Sequence, residues 1–581
     1  MTVPGVVALA TETLIDASAV DYLIIGIYFA FVIGIGVMAS RQVSDSVDFF
    51  LSGRSLPAWV TGLAFVSANL GAVEIMGMSA NGAQFGLPAV HYFWIGAIPA
   101  MLFLGVVMMP FYYGSQARSV PEFMLRRFGT GAHLVNAISF AVAQLLIAGI
   151  NLYLLGSIIQ ALLGWNLTLA LVAAAIVVLS YITLGGLKAA IYNEVLQFFV
   201  IVAALLPLTL IGLDQVGGYE GLKDKITENA GVGGSASAAE QLNSWPGTAL
   251  TGFSSDILSV IGIVFGLGFV LSFGYWTTNF VEVQRAMATD SISSARKTPI
   301  IGAFPKMFVP FITILPGMIA AVLVSEIAQT KAGETVEGGA SGTVKYNDAL
   351  LYLMRDLLPN GLLGVAIAGL MAAFMAGMAA NVSAFNTVLS FDLWQTYVVK
   401  DRPDGYYLRV GRWATVGATV IAIGTAQLAA NFSNIMDYLQ TLFGFFNAPL
   451  FATFILGMFW KRMTATAGWV GLVSGTLAAV LVAFLSEGTL GGLSVGVLPL
   501  SGQGASFVAA GAAFVVDIVL SIVVSLVTVP KPPAELTGLV YSETPKEDLV
   551  DAAEATRPWY QRTLPLAGVA LGMVVVLNVA F

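Results

Sequence analysis

A short polar stretch interrupts a hydrophobic segment that is long enough to cross a membrane. It reads Ser67-Ala68-Asn69-Leu70-Gly71-Ala72-Val73-Glu74 and lies within the apolar segment 58-79. An ionisable group at the centre of a bilayer costs about 3 kcal/mol or more, so a carboxylate there needs a compensating interaction. A polar ligand can supply that interaction, and the predicted chemistry is therefore recognition of a solute or an ion.

A second polar interruption follows five hydrophobic segments later. Segment 257-282 carries Ser272-Phe273-Gly274-Tyr275-Trp276-Thr277-Thr278-Asn279. Paired interruptions in two halves of a chain indicate a transporter built from inverted repeats, with its site near the membrane midplane. Close helix packing through glycine is the alternative explanation. The amides and the carboxylate beside these glycines favour a site.

One lysine, Lys306, lies inside an apolar segment with hydrophobic residues on both sides. A lysine near a helix end can extend its ammonium to the membrane surface. The apolar flanks argue against that and keep Lys306 within the membrane segment. The two histidines, His91 and His133, are not at metal-ligand spacing, and no enzymatic activity is predicted.

The elements that must position these residues are membrane helices. The 581 residues are 57% hydrophobic and 10% charged, against about 25% charged residues in a soluble domain. About fourteen segments approach the roughly 20 residues needed for a crossing: 21-40, 58-79, 88-113, 132-162, 167-184, 190-213, 257-282, 298-325, 360-395, 408-430, 434-460, 466-485, 506-529 and 563-581.

Charge sets the predicted orientation of these helices. With the N-terminus outside, most of the 25 Lys and Arg residues fall in inner loops, as the positive-inside rule requires. Fourteen crossings then place both termini outside. The net charge of −8 is attributed to solvated loops, and no nucleic-acid partner is predicted.

Four motifs in order along the chain resemble the sodium/solute symporter family, closest to its sodium-glucose cotransporter branch. They are Phe49-Phe50-Leu51-Ser52-Gly53-Arg54-Ser55-Leu56-Pro57, Ser119-Val120-Pro121-Glu122-Phe123 with Arg127-Phe128, Gly185-Gly186-Leu187-Lys188-Ala189 with Gln197, and Gly457-Met458-Phe459-Trp460-Lys461. The resemblance implies an all-α polytopic membrane protein with a LeuT-type five-plus-five inverted repeat. Within a single transporter domain, the first repeat would be 58-213 and the second 257-460, with peripheral helices 21-40, 466-485, 506-529 and 563-581.

The resemblance also implies a solute site. Lys306 and Gln440 match positions that hold the sugar in the sugar branch, and Tyr275 matches an aromatic residue of the inner gate. The full predicted set is Asn69, Glu74, Phe93, Ser272, Tyr275, Asn279, Lys306 and Gln440. Phe93 and Ser272 depart from the branch, which has a carboxylate and an asparagine there. The gate is predicted from Met78, Tyr92, Tyr275, Trp276 and Met436.

The cation site implied by the family is altered in this chain. Ser67, Leu70 and Ala373 match the positions that offer backbone carbonyls. Ala376 and Gly377 stand where the family has two consecutive hydroxyl side chains. A small hard cation needs several oxygen ligands, so the sodium site is degenerate. Glu194 replaces an aspartate of the family and, with Glu74, is a candidate coupling residue.

The sequence therefore predicts alternating-access transport of a small polar solute, a sugar or polyol, across the plasma membrane. Sodium symport is the family's mechanism, and no organic cofactor is expected. A sodium-independent uniporter or a proton-coupled symporter is the alternative, with Glu74 either as proton carrier or as a fixed ligand of the solute. The sequence leaves the oligomeric state open.

Overall fold

The computed structural model of the protein describes residues 13–40, 55–114, 119–231, 236–339, 342–488, 494–545, 549, 554 and 556–581. Residues 49–54 of the first family motif lie outside this part. The described residues form a bundle of helices with one small pair of strands, Ser486–Glu487 and Leu498–Ser501.

Ten helices of the described part are long and apolar enough to cross a membrane. They are Leu87–Tyr113, Thr130–Leu163, Ala190–Val216, Asp256–Thr278, Ile292–Leu323, Leu362–Val398, Ile435–Phe459, Ala465–Leu485, Gly502–Val527 and Thr563–Ala580. A bent pair, Ala58–Asn69 with Val73–Phe85, makes an eleventh. The shorter apolar stretches Ala19–Ile35 and Leu167–Leu179 and the helix Asp404–Ala429 fall on the remaining predicted segments. A multi-pass helical protein is thus confirmed, and the count of fourteen stays a prediction.

The remaining helices are shorter or connect the long ones. The α-helical ones are Val120–Phe128, Gly218–Asn229, Ala238–Leu242, Thr248–Thr251, Phe280–Met287, Ser325–Lys331 and Ala349–Leu357. Stretches of π-helix occur at Tyr92–Ala97, Leu104–Met108, Gly262–Ser272 and Val388–Val398. Such stretches are common at functional sites, and two of them contribute residues to the site described below.

One predicted boundary is absent. Segments 167-184 and 190-213 were expected to be separate crossings, yet Leu167–Val216 is a continuous helix of 50 residues. At 1.5 Å per residue it is about 75 Å long, well over the thickness of a bilayer core. A continuous helix keeps the backbone groups around Gly185 and Gly186 hydrogen-bonded, which outweighs the cost of about 1 kcal/mol per glycine.

Two helices are interrupted at the polar stretches. The first broken helix consists of Ala58–Asn69 and Ala72–Phe85, which meet at a bend of 53°. The second broken helix consists of Asp256–Thr278 and Phe280–Met287. Asn279 is extended between its halves, and the Asn279 Oδ1 atom accepts a hydrogen bond of 3.0 Å from the Val281 amide. Each break places residues of the predicted site at a helix end.

The second half of the first broken helix packs backbone to backbone against Pro310–Leu323. A methyl group added to Gly82 would stand 2.2 Å from the Ile314 carbonyl oxygen, and one added to Gly317 would stand 1.9 Å from the Ser79 carbonyl oxygen. Only glycine permits so close an approach. These two helices therefore form one rigid wall beside the break.

Candidate functional site

A cavity of about 100 Å³ lies between the two broken helices. One water needs about 10–15 Å³ of space that the centre of a water-sized sphere can reach. The cavity is therefore large enough for a solute bigger than a few waters. Its wall comes from both broken helices and from the helices that contain Phe93, Asn151, Lys306, Gly377 and Gln440.

All eight residues of the predicted solute set line this cavity, as do all five of the predicted gate. The wall also includes residues that the sequence did not single out, among them Asn151, Asn381, Leu439 and Phe443. The two polar interruptions and Lys306, which are far apart in the sequence, therefore meet at one place.

Lys306 is the charged centre of the site and is 1% exposed. Its ammonium forms an ion pair with the Glu74 carboxylate and donates a hydrogen bond to Asn69 Oδ1. It also lies 5.2 Å from the centre of the Phe93 ring and 5.1 Å from that of Trp276. Both rings are within the range of a cation–π interaction. Phe93 thus presents an aromatic face to the cation, and Glu74 supplies the counter-charge.

A chain of hydrogen bonds runs from Lys306 toward the second broken helix. Asn69 Nδ2 donates to the Tyr275 hydroxyl at 2.8 Å, and that hydroxyl donates to Glu282 Oε1 at 2.8 Å. Glu282 is fully buried, and its Oε2 atom has no hydrogen-bond partner among the described residues. Glu282 was not predicted from the sequence. The available signal was a carboxylate three residues after Asn279, at the end of the apolar segment 257-282.

The gate residues form an apolar and aromatic cover. Tyr275 packs on Phe443 with ring centres 4.6 Å apart. A methyl group added to Gly77 would stand 2.9 Å from the Met436 sulfur, so this methionine lies directly on the first broken helix. The buried side chains Met78 and Trp276 complete the cover. An apolar cover over a few polar groups is typical of a small-molecule site.

The gate residue Tyr92 is tied to a peripheral helix. Its hydroxyl donates a hydrogen bond to Gln503 Oε1, and the Gln503 amide donates to the carboxylate of Asp437. Gln503 was not predicted, because a single glutamine near a helix end gives no signal of its own. This link connects the cavity to Gly502–Val527.

Three polar residues of the predicted solute set differ in which of their side-chain atoms are available to a solute. Ser272 and Gln440 line the cavity and are 8% and 4% exposed. Asn279 also lines it, but its carbonyl oxygen already caps the following helix. Its NH₂ group is therefore the part that can reach a solute.

Glu194 lies outside the cavity wall and is held by Arg285, which the sequence analysis also missed. The guanidinium is 2.5 Å from Glu194 Oε1 and 3.3 Å from Oε2, and both side chains are fully buried. Such a bidentate pair has strong geometric specificity. It joins Leu167–Val216 to Phe280–Met287, directly behind Glu282.

The predicted cation positions are deeply buried. Ser67, Leu70, Ala373 and Ala376 are each 0% exposed, and Gly377 is the one of the five that reaches the cavity wall. Ser67 Oγ has no hydrogen-bond partner in the described part of the chain. The break after Asn69 leaves the last carbonyls of Ala58–Asn69 without amides from a following turn. Oxygen atoms are thus present, although the two hydroxyls are not.

A family comparison decides how this geometry is to be understood. The profile of the sodium:solute symporter family matches residues 49–475, well over half of the chain. The protein belongs to that family. Its relatives are transporters and not enzymes, as the sequence predicted.

Individual relatives of this symporter-family chain are named as sugar and inositol cotransporters. It is 29% identical over 480 residues to the sodium/glucose cotransporter of Vibrio parahaemolyticus, covering 81% of this chain and 86% of the relative. It is 30% identical over 476 residues to sodium/myo-inositol cotransporter 2 of Oryctolagus cuniculus, covering 79% and 68% respectively.

Among solved structures, the chain resembles a Na⁺-coupled sialic acid symporter in a substrate-bound outward-open state. The TM-score is 0.71 at 18% identity, with 89% of this chain and 99% of that chain covered. The likeness concerns the fold alone, and it supports the predicted LeuT-type helical architecture. The sides of the two termini stay predictions.

Proposed function

We propose that the protein is a secondary-active transporter that carries a sugar or polyol across the plasma membrane together with sodium, by alternating access. The observation that carries the proposal is the cavity between the two broken helices, where Lys306, Asn69 and Glu74 converge. In this scheme the inverted repeats 58-213 and 257-460 move against each other around the cavity.

The polarity of the wall supports a neutral, hydroxyl-rich solute. Lys306 is already matched by Glu74, so an anionic solute would have to displace a buried carboxylate from its ammonium. A hydroxyl can donate to the carboxylate and accept from the ammonium at the same time. The side-chain amide of Gln440 offers one further donor group and one further acceptor. The Tyr275 ring provides a flat face for the apolar side of a sugar ring. The names of the sugar and inositol relatives point the same way.

A sodium-independent uniporter or a proton-coupled symporter is the second candidate. It is favoured by the loss of hydroxyl side chains at Ala376 and Gly377. Glu74 is engaged by Lys306, which suits a fixed ligand of the solute better than a mobile proton carrier. Among the described residues two buried carboxylates have an unbonded oxygen, Glu282 and Asp392. Glu282 is the one that bonds a cavity residue, Tyr275, so a proton-coupled mechanism would use Glu282.

Uptake into proteoliposomes separates these candidates. Proteoliposomes that contain the purified full chain are loaded with glucose, galactose, myo-inositol or a monocarboxylate. Counterflow of the labelled solute is then measured with the sodium and pH gradients varied independently. Accumulation of a sugar or inositol that requires sodium is the expected result. Accumulation that follows the pH gradient alone supports the proton-coupled alternative, and exclusive uptake of the carboxylate refutes the proposed solute class.

A further inference from the structure

The amide oxygen of Asn151 lies at the altered cation position. Asn151 belongs to Thr130–Leu163, a helix that contributes nothing to the predicted cation site. Its side chain is 3% exposed and lines the cavity, and Oδ1 has no hydrogen-bond partner among the described residues. A buried acceptor without a partner destabilises the folded protein. Such an atom indicates a ligand that supplies the missing interaction.

The orientation of this amide is fixed by its own hydrogen bond. Asn151 Nδ2 donates to the Ile147 carbonyl at 3.2 Å, one turn earlier on the same helix. The oxygen therefore points away from Ile147 toward Gly71 and Gly377, where the first broken helix contacts Leu362–Thr387.

The distances at this contact show what the oxygen replaces. A methyl group added to Gly377 would stand 2.7 Å from Asn151 Oδ1, which is too close for a side chain to be accommodated unchanged. In the family pattern, position 377 carries a hydroxyl side chain. Here the amide oxygen of Asn151 lies 2.7 Å from where the first carbon of that side chain would be, and glycine at 377 makes room for it.

Further oxygens belong to the helix segments that meet here. A methyl group added to Gly71 would stand 3.3 Å from Asn151 Oδ1 and 3.6 Å from the Ala373 carbonyl oxygen. Ser67, one turn before Gly71, contributes a buried hydroxyl oxygen that also lacks a partner. These are neutral oxygen donors, the ligands that a hard cation prefers.

We infer that Asn151 Oδ1 is a sodium ligand that takes over the role of the missing hydroxyl at position 377. The cation position is then formed by three parts of the fold: Ser67 in the last turn before the break, the Ala373 carbonyl, and Asn151 from Thr130–Leu163. The inference rests on the proposed sodium symport and specifies where the ion binds. Because Asn151 also lines the solute cavity, one side chain contacts both the ion position and the solute space.

The test is a sodium titration of the purified full chain, with choline replacing sodium at constant ionic strength. Tryptophan fluorescence and thermal stability are the readouts, so binding is measured without transport. Wild type should show a saturable sodium response. Asn151→Ala should raise the half-saturating sodium concentration at least about tenfold, the range expected when a charged group loses one polar partner. Gln144→Ala is the matched control, since Gln144 is a buried amide on the same helix with an unbonded oxygen and lies outside the cavity wall. It should leave the titration unchanged.

A second-site variant tests the replacement directly. Gly377→Ser alone should impair sodium binding because its Cβ would stand 2.7 Å from Asn151 Oδ1. The double variant N151A/G377S relieves that contact, keeps the 3.3 Å approach of the new Cβ to Gly71 Cα, and returns a hydroxyl. The double variant should recover most of the affinity lost in Asn151→Ala. If Asn151→Ala does not fold, Asn151→Asp, which keeps the oxygen and adds charge, should lower the half-saturating concentration.

The outcomes distinguish this inference from the proposed function. No sodium response in wild type, an unchanged titration in Asn151→Ala, no rescue by Gly377→Ser or no tightening in Asn151→Asp overturns the inference. A sodium response that Asn151→Ala weakens, in a protein that transports none of the sugars or inositols, upholds the inference and refutes the proposed solute.

Discussion

Replacing Glu74 by Gln should destabilise the protein strongly, because it leaves the Lys306 ammonium buried without its counter-charge. Removing one partner of a buried ion pair typically costs about 3–5 kcal/mol. Lys306 is 1% exposed and the Glu74 side chain is 11% exposed, so water cannot compensate. The Phe93 and Trp276 rings remain near the ammonium in the variant, and each can contribute about 1 kcal/mol. We therefore expect the lower end of the range, about 3 kcal/mol.

The partner variant and the double variant complete a cycle. Lys306→Met leaves Glu74 unpaired and should cost a similar amount. E74Q/K306M removes both charges and should cost much less than the sum of the single variants, because a buried pair replaced by neutral groups is often close to neutral in stability. With single costs of about 3 kcal/mol each, a near-neutral double variant implies a coupling energy of about 5–6 kcal/mol.

Unfolding of the purified protein in mixed detergent micelles, followed by the fluorescence of its 10 tryptophans, measures this cycle. Lys331→Met is the matched control. Lys331 is a second largely buried lysine, and its ammonium contacts the neutral oxygens of Ala83 and Gln241 at 2.7 and 2.6 Å. The losses of unfolding free energy in Lys331→Met and Glu74→Gln should add in the double variant to within about 0.5 kcal/mol. If the losses in Lys306→Met and Glu74→Gln also added to within that margin, the ion pair would be refuted as the organising contact of the cavity.

Three further predictions concern solute binding, coupling and pH. Gln440→Ala should lower the affinity for the transported sugar about tenfold, as measured by the sodium-dependent thermal shift in a sugar titration. The response to sodium alone should stay intact. An unchanged sugar titration would remove Gln440 from the site. Glu282→Gln keeps an acceptor for the Tyr275 hydroxyl but cannot ionise. Sodium-driven uptake should therefore persist in this variant with its pH dependence unchanged. If the variant instead loses accumulation driven by a pH gradient, the mechanism is proton-coupled. Burial lowers the pKa of Lys331 from its ordinary value of 10.5 to about 8. The unfolded chain therefore binds more protons between these values, and stability should rise with pH from about 8 to 10.5. Lys331→Met should remove that rise in a series of unfolding curves, and a stability that falls over this window would contradict the assignment.

The two breaks were predictable from sequence because they are local. Amide, carboxylate and glycine side chains inside a long apolar run have few explanations in a membrane, and both runs form helix interruptions in the structure. Lys306 was predictable for the same reason. Its pairing with Glu74 was not, since the two residues are 232 positions apart and only the packing of the helices brings them together.

Other parts of the site carried no local signal. Asn151 is one of four amide side chains in the long helix Thr130–Leu163, and sequence does not reveal which of them faces lipid, another helix or a cavity. Its role emerges only with Gly71 and Gly377, whose missing side chains leave room for it. The helix boundary predicted between residues 184 and 190 is absent from the structure. Glycine weakens a helix there, but the backbone hydrogen bonds of Leu167–Val216 outweigh that weakness.

The ion pair between Lys306 and Glu74 has an electrical consequence for the transport cycle. Moving one uncompensated charge through a membrane potential of 100 mV changes the free energy by about 2.3 kcal/mol. The two opposite charges at the cavity move together and cancel, so the solute-free carrier can reorient with little dependence on voltage from this pair. Membrane potential should then act mainly on the steps in which a cation enters or leaves, and the return of the unloaded protein should proceed equally well in polarised and depolarised membranes.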